Sequence, residues 1–185
     1  RIDPHLRDDG IWLSFVDWGF KDTTLFVGKS SPKTPSSFSI ETAFEREGPG
    51  WRSQLVFDTP NPSLLYSLNF HRSLQIAKKE NKEWKTKVLL RNAGNFVAKL
   101  STDNEMVVAA ESLENTKLMG GILYLLRRKN GKWTKHLVDS EGPNASNLSL
   151  VLTKDGKAIV AYYSKVIKGL KIYDESTAIV AQKPN

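Results

Sequence analysis

The sequence predicts an all-β fold made of four repeats of four short antiparallel strands. Two series of landmarks and the lack of a helical pattern predict it. The first series is an Asp ahead of a hydrophobic strand: Asp9 in "RDDGIWLSFVDW", Asp58 in "FDTPNPSLLYSLNF", Asp103 in "STDNEMVVAAES" and Asp155 in "TKDGKAIVAYYS". Its steps are 49, 45 and 52 residues. The second series is Leu-x-aliphatic: Leu25 and Val27, Leu74 and Ile76, Leu123 and Leu125, Leu170 and Ile172. Its steps are 49, 49 and 47. Two independent landmarks that keep one period define a repeat, and a repeat decides the fold before any single element does. No long stretch carries a clean helical apolar period.

The elements follow in order within each repeat. Strand one precedes the Asp turn, as in "NLSLVLTKD", and strand two follows it, as in "AIVAYYS". Strand three carries Leu-x-aliphatic; Leu25 and Val27 face one way and Phe26 the other, as strand alternation requires. Strand four opens with Trp84 in "WKTKVLL" and with Trp133 in "WTKHLVDS". Ahead of it Asn130-Gly131 reads as a type I′ hairpin, because both central residues need positive φ. Repeats one and four lack the Trp and end in "SSFSIETAF" and "STAIVAQKP". Pro and Gly punctuate the boundaries at "EGPGW", "NAGN" and "EGPN". That gives repeats of about 3–47, 51–91, 95–141 and 145–185 within one domain spanning 1–185.

Repeats of this length with four antiparallel strands describe the blades of a β-propeller. A blade buries neither face alone, so neighbours must stack. The turn, the paired strands and the Trp resemble sialidase-like, BNR-type propeller repeats over essentially all 185 residues. The S-x-D-x-G-x-x-W box of that group is absent, and "RKNGKW" stands at its hairpin. The chain begins with a first strand near His5 and ends with a fourth near Thr177 to Gln182, so no spare strand closes a ring. Two alternatives follow: four blades close by packing alone, or further blades are supplied by sequence outside this chain.

Composition bounds the function. With 39% hydrophobic and 25% charged residues the chain suits a globular domain with a core. No apolar run approaches the length of a membrane helix, about 18 residues, so no transmembrane segment is expected. Cysteine is absent, which excludes disulfides and thiolate metal sites. The first residue is Arg1, consistent with a mature product or a piece of a longer chain, and the expected location is extracellular or periplasmic, for a secreted protein. The net charge of +7 permits an anionic partner without requiring one.

In a propeller, ligands gather on the loops that join strand two to three and strand four to the next strand one, because loops on a rigid scaffold vary freely. Those loops hold the candidate ligand-binding residues Asp17, Trp18, Trp51, Arg52, His71, Arg72, Arg91, Asn92 and Asn115, with Asp22, Glu111 and Lys165 beside them. The mix suits a sugar or a peptide; the same residue types also occur as ordinary solvated loops. "DPHLRDDGIWLSF" resembles the Asp-Pro opening of five-bladed glycoside hydrolases, and that resemblance implies Asp3 as a catalytic base. Glu111 and Glu114 are its candidate acid partners. Arg52, Arg72 and Arg91 resemble an arginine cluster that grips a sialic carboxylate.

Other motifs fall away. "VGKSS" lacks the early Gly and the following helix of a phosphate loop. His5, His71 and His136 have no metal spacing, so no metal and no cofactor is expected. Asn144 and Asn147 open formal glycosylation sequons. Basic residues crowd 72–91 and 127–136, on the third and fourth strands. Lysines there block edge-to-edge pairing, and the sequence expects them to alternate with buried Trp and aliphatics. Nucleic acid is not an expected partner, since the aromatics serve packing. The resulting expectation is a non-catalytic binding or scaffold module that takes a protein or a glycan on its loop face. The alternative is a glycan-directed hydrolase of sialidase-like or five-bladed type.

Overall fold

The computed structural model describes residues 2–18, 23–46, 49–59, 61–68, 73–113, 121–141, 143–164 and 166–177. At Asp3, Trp18, Thr23, Arg46, 49–51 and 143–146 only the backbone is described. The described residues form β-strands joined by turns, with no helix among them. The chain divides into two compact units, Arg1–Asn95 and Phe96–Asn185.

The first unit holds two four-stranded antiparallel meanders. Sheet one is β1 (Ile2–Arg7), β2 (Gly10–Trp18), β3 (Thr23–Ser31) and β4 (Thr34–Arg46). Sheet two is β5 (Pro49–Val56), β6 (Ser63–Leu68), β7 (Ser73–Glu80) and β8 (Glu83–Leu90). The second unit repeats the plan. Sheet three is β9 (Ala93–Leu100), β10 (Met106–Ser112), β11 (Ile122–Lys129) and β12 (Lys132–Asp139). Sheet four is β13 (Pro143–Leu152), β14 (Ala158–Ser164) and β15 (Gly169–Asp174). Its expected fourth strand, near Thr177 to Gln182, runs into 178–185, outside the described residues. These are propeller blades, met in sequence order.

Turn chemistry sets the meanders. Asn130 and Gly131 have φ of 51° and 77°. This is the type I′ hairpin that their residue types predict. The same turn forms at Asn81 and Lys82, with φ of 51° and 70°. There a lysine occupies a conformation that β-carbons disfavour. Gly10 has a φ of 125°, and a Cβ on it would stand 1.9 Å from the Ser30 carbonyl oxygen. Strand two therefore enters beside β3 only as glycine.

The repeat is also written in the ladders. Between strands three and four, the register shifts just after Leu25, Leu74 and Leu123, leaving Ala43, Leu89 and Val138 as the extra residue in each blade. Leu74, Leu123 and Leu170 each oppose the second-to-last residue of strand two: Ser67, Glu111 and Tyr163. The Leu-x-aliphatic positions are therefore equivalent, as the sequence predicts. Their surroundings differ. The first three pairs are buried, whereas Leu170 and Ile172 are 67% and 65% exposed.

Each unit's core lies between its two sheets. Leu25, Val27 and Ala43 of sheet one pack with Leu55, Leu64 and Tyr66 of sheet two, and the Ser14 and Ser53 hydroxyls meet at 3.0 Å. Leu123 and Leu125 of sheet three pack with Leu148, Leu150, Ala158, Val160 and Tyr162 of sheet four. Strands β8 and β12 share one burial sequence, with the Trp half-covered, the next four residues exposed and the last residue buried. The lysines there do not alternate with buried residues as expected. Thr86 and Val88 are exposed beside Lys85 and Lys87, because nothing described packs over the middle of this outer edge strand.

Candidate functional site

One motif recurs at the turn between strands one and two. A cation four residues after the Leu landmark, on strand three, reaches back to a carboxylate in that turn. Lys29 Nζ donates to Asp9 Oδ2 at 2.7 Å, and Lys78 Nζ donates to Asp58 Oδ2 at 2.7 Å. A donor on strand two completes each carboxylate: Trp12 Nε1 to Asp9 Oδ1 at 3.2 Å, and the Ser63 hydroxyl to Asp58 Oδ1 at 2.6 Å. In blade three the cation is Arg127, which donates to Glu105 at 3.0 Å and to the Gly156 carbonyl at 3.0 Å, and also pairs with Glu175. In blade four the position is Asp174, which accepts from the Ser176 N–H at 2.8 Å and from its hydroxyl.

In blade one this motif opens into a cleft. Where blade two has the small Ser63, blade one has the indole of Trp12, which lines the cleft. The cleft has a volume of about 500 Å³ and lies at the hairpin end of the first unit, lined by Asp9, Trp12, Lys29, Ser39 and Glu41 of sheet one and Lys79 of sheet two. Lys29 Nζ stands 4.6 Å from the centre of the Trp12 ring, close enough for the ring face to attract the cation. Phe57 props the indole edge-on at 5.7 Å, with Arg7 over its own face at 4.3 Å. Glu41 and Lys79 form an ion pair across the two sheets. The Lys29 hydrogen bond, with help from Trp12 against partial burial, holds the Asp9 carboxyl below the ordinary aspartate range. The two lysines and two carboxylates cancel, leaving a neutral cleft with an aromatic wall and many polar partners.

A second polar cluster lies in the other unit. Asp139, at the end of β12, accepts the Glu141 N–H at 2.8 Å, the Tyr162 hydroxyl at 2.7 Å and Lys171 Nζ at 3.0 Å. Burial opposes its charge, but these three donors outweigh it and lower its pKa. Burial and the Asp139 carboxylate push the Tyr162 phenol up. A carboxylate already holding three protein donors fastens the β12–β13 connection.

Of the described residues singled out in the sequence, Asp17, Trp18, Arg91 and Asn92 lie at the other end of sheets one and two. Asp17 is exposed near the end of β2, opposite Thr24, and Trp18 ends that strand. Trp51 and Arg52, expected in a loop, lie inside β5, where the register slips between Pro49 and Ser53. Arg91 and Asn92 form the exposed turn after β8, with Asn92 at φ 50°. Glu111, also expected in a loop, is buried within β10, and Gly121 N–H donates to its Oε1 at 3.3 Å. Asp3 pairs through its backbone with Ser14. His71, Arg72 and Asn115, with Asp22, Glu114 and Lys165, lie outside the described residues. Among the described residues no group of three or more His, Cys, Asp or Glu could hold a metal ion. No described helix is long and apolar enough to cross a membrane.

No family model matches the chain. No curated protein matches it. Among solved structures, one similar chain is a GH43 glycoside hydrolase whose active site was engineered to display both endo-xylanase and exo-arabinofuranosidase activity. The similarity has a TM-score of 0.49 and 10% sequence identity, and it covers 94% of this chain. This chain spans 37% of the length of that one. The strand ladders themselves define the class: an all-β protein of propeller blades.

Proposed function

We propose that this chain is a non-catalytic binding module that holds a neutral glycan in the cleft between sheets one and two. The observation that supports this is the pairing of an aromatic wall, Trp12, with two carboxylate–lysine ion pairs, Asp9–Lys29 and Glu41–Lys79. A sugar ring offers hydroxyls that serve as donor and acceptor at once, and a neutral cleft rich in both suits it better than it suits an ion. Both carboxylates are tied to lysines, an arrangement that favours holding a ligand over transferring a proton.

The test is a glycan array probed with the labelled chain, followed by titration calorimetry with the best-retained neutral oligosaccharide. Trp12→Ala is expected to weaken binding at least tenfold, about 1.4 kcal/mol. Binding unaffected by Trp12→Ala but lost in Arg91→Ala with Asn92→Ala would move the site to the loop end of the sheets. Turnover of a reporter glycoside that is abolished by Asp9→Asn would overturn the non-catalytic reading in favour of a hydrolase.

A further inference from the structure

The blades show which face each one offers to its successor. Leu25 and Val27 on strand three of sheet one are covered by β5 and β6 of sheet two. Leu123 and Leu125 on strand three of sheet three are covered by β13 and β14 of sheet four. In both units the Leu-x-aliphatic pair meets the first two strands of the next blade. Sheet four carries the same pair at the equivalent register, on the face turned away from its own core. Leu170 opposes Tyr163, Ile172 opposes Ala161, and Val151 opposes Ile159, so these six side chains share one surface. Leu170, Ile172 and Val151 are each more than half exposed. This is a successor-binding face without a successor among the described residues.

Sheet one presents the matching half. Its face turned away from sheet two carries Leu13 and Phe15 on β2, and Phe26 stacks on Phe15 at 5.1 Å. Leu6, 85% exposed, and Ile40, 56% exposed, flank them on β1 and β4. By register, Phe15 stands where Tyr66 stands in sheet two and Tyr162 in sheet four. Both tyrosines are buried in the core shared with the preceding blade. One chain thus carries both halves of a blade-to-blade contact, one on its first sheet and one on its last.

We propose that the open face of sheet four docks sheet one of a second copy of this chain, head to tail, in the manner in which sheet four covers sheet three. The occupant continues a stacking interface that the chain already makes twice. Such a contact joins unlike surfaces, so copies link in one direction and stop only when the rotation closes. The proposal stands apart from the glycan reading: it concerns other faces and is read by mass rather than by ligand binding.

Sedimentation velocity and light scattering of the wild-type chain, across roughly 1–100 μM, test it. The expected result is a dimer or larger species whose share grows with concentration. Leu170→Asp with Ile172→Asp blocks one face, and Leu6→Asp with Ile40→Asp blocks the other. All four positions are exposed, so circular dichroism is expected to stay that of the wild type. Each double variant alone is expected to be monomeric. Mixed in equal amounts they are expected to regain a 1:1 heterodimer, because each keeps the face the other lost. A wild-type chain monomeric throughout, an oligomer that survives both double variants, or a mixture that stays monomeric would each overturn the proposal.

Discussion

The anchor at the turn between strands one and two is built three ways, and the differences sort exposed charge from buried charge. In blade one the Asp9 and Lys29 side chains are 48% and 40% exposed. In blade two Asp58 is only 7% exposed, with Lys78 at 27%. In blade three Arg127, largely covered, holds Glu105, Glu175 and a backbone carbonyl at once. The same topology therefore places one ion pair in water, one half out of it, and one in the seam between two sheets. Water screens the first. The second and third must be complete, because a covered charge that loses its partner bears its full desolvation cost.

Replacing Arg127 should break this comparison at its strongest point. Arg127→Ala strands two carboxylates and is expected to cost about 3 kcal/mol of stability in urea denaturation. The pH profile gives the same answer independently. Burial works against the Glu175 charge, but the Arg127 hydrogen bonds, the Ala158 N–H and the Arg127 charge outweigh it, and its pKa falls below 4.5. A lowered carboxylate pKa stabilises the fold above the unfolded value and loses that contribution as pH falls through the folded one. Stability should therefore fall below about pH 4.5 in the wild type, and this part of the fall should shrink in Arg127→Ala. A variant with wild-type stability and an unchanged acid limb would remove the seam from the account.

A middle effect is expected at Asp58. Asp58→Asn keeps an acceptor for the Ser63 hydroxyl but leaves Lys78 without its charge partner, for a loss of about 1–2 kcal/mol. The smallest belongs to Asp9, where Asp9→Asn should cost about 0.5 kcal/mol or less, a loss that roughly 1 M salt erases. If Asp9→Asn proved as costly as Asp58→Asn in thermal or urea melts, exposure would not be what separates these anchors.

Much of this architecture was legible in the residues. The period, the Asp turns, the Asn130-Gly131 hairpin and the equivalence of Leu74, Leu123 and Leu170 all follow from local chemistry that each blade repeats. The cleft was harder to see. Its signal was present, since Lys29, Lys78 and Arg127 each stand four residues past the Leu landmark. A cation at a fixed offset from the repeated Leu, beside a turn that carries a carboxylate, is a contact that can be read in advance. What could not be read is that Trp12, placed where blade two has Ser63, lines a cavity, for that depends on how two sheets pack. Glu111 shows the same limit. A carboxylate near a glycine-rich segment reads as a loop residue, but the strand runs to Ser112, and Gly121 closes onto it with no room for a Cβ.

Arg127 has one further consequence. Blade four has Asp174 where the other blades keep a cation, and Asp174 commits its Oδ1 and its backbone carbonyl to its own following turn. Among its described residues this blade thus has no internal clasp of the kind its siblings own, and Glu175 and the Gly156 carbonyl are held by a guanidinium lent from next door. The end of β15 is a tenant of its neighbour: it cannot come loose without first releasing a group that also steadies blade three, so the two melt or persist as a couple.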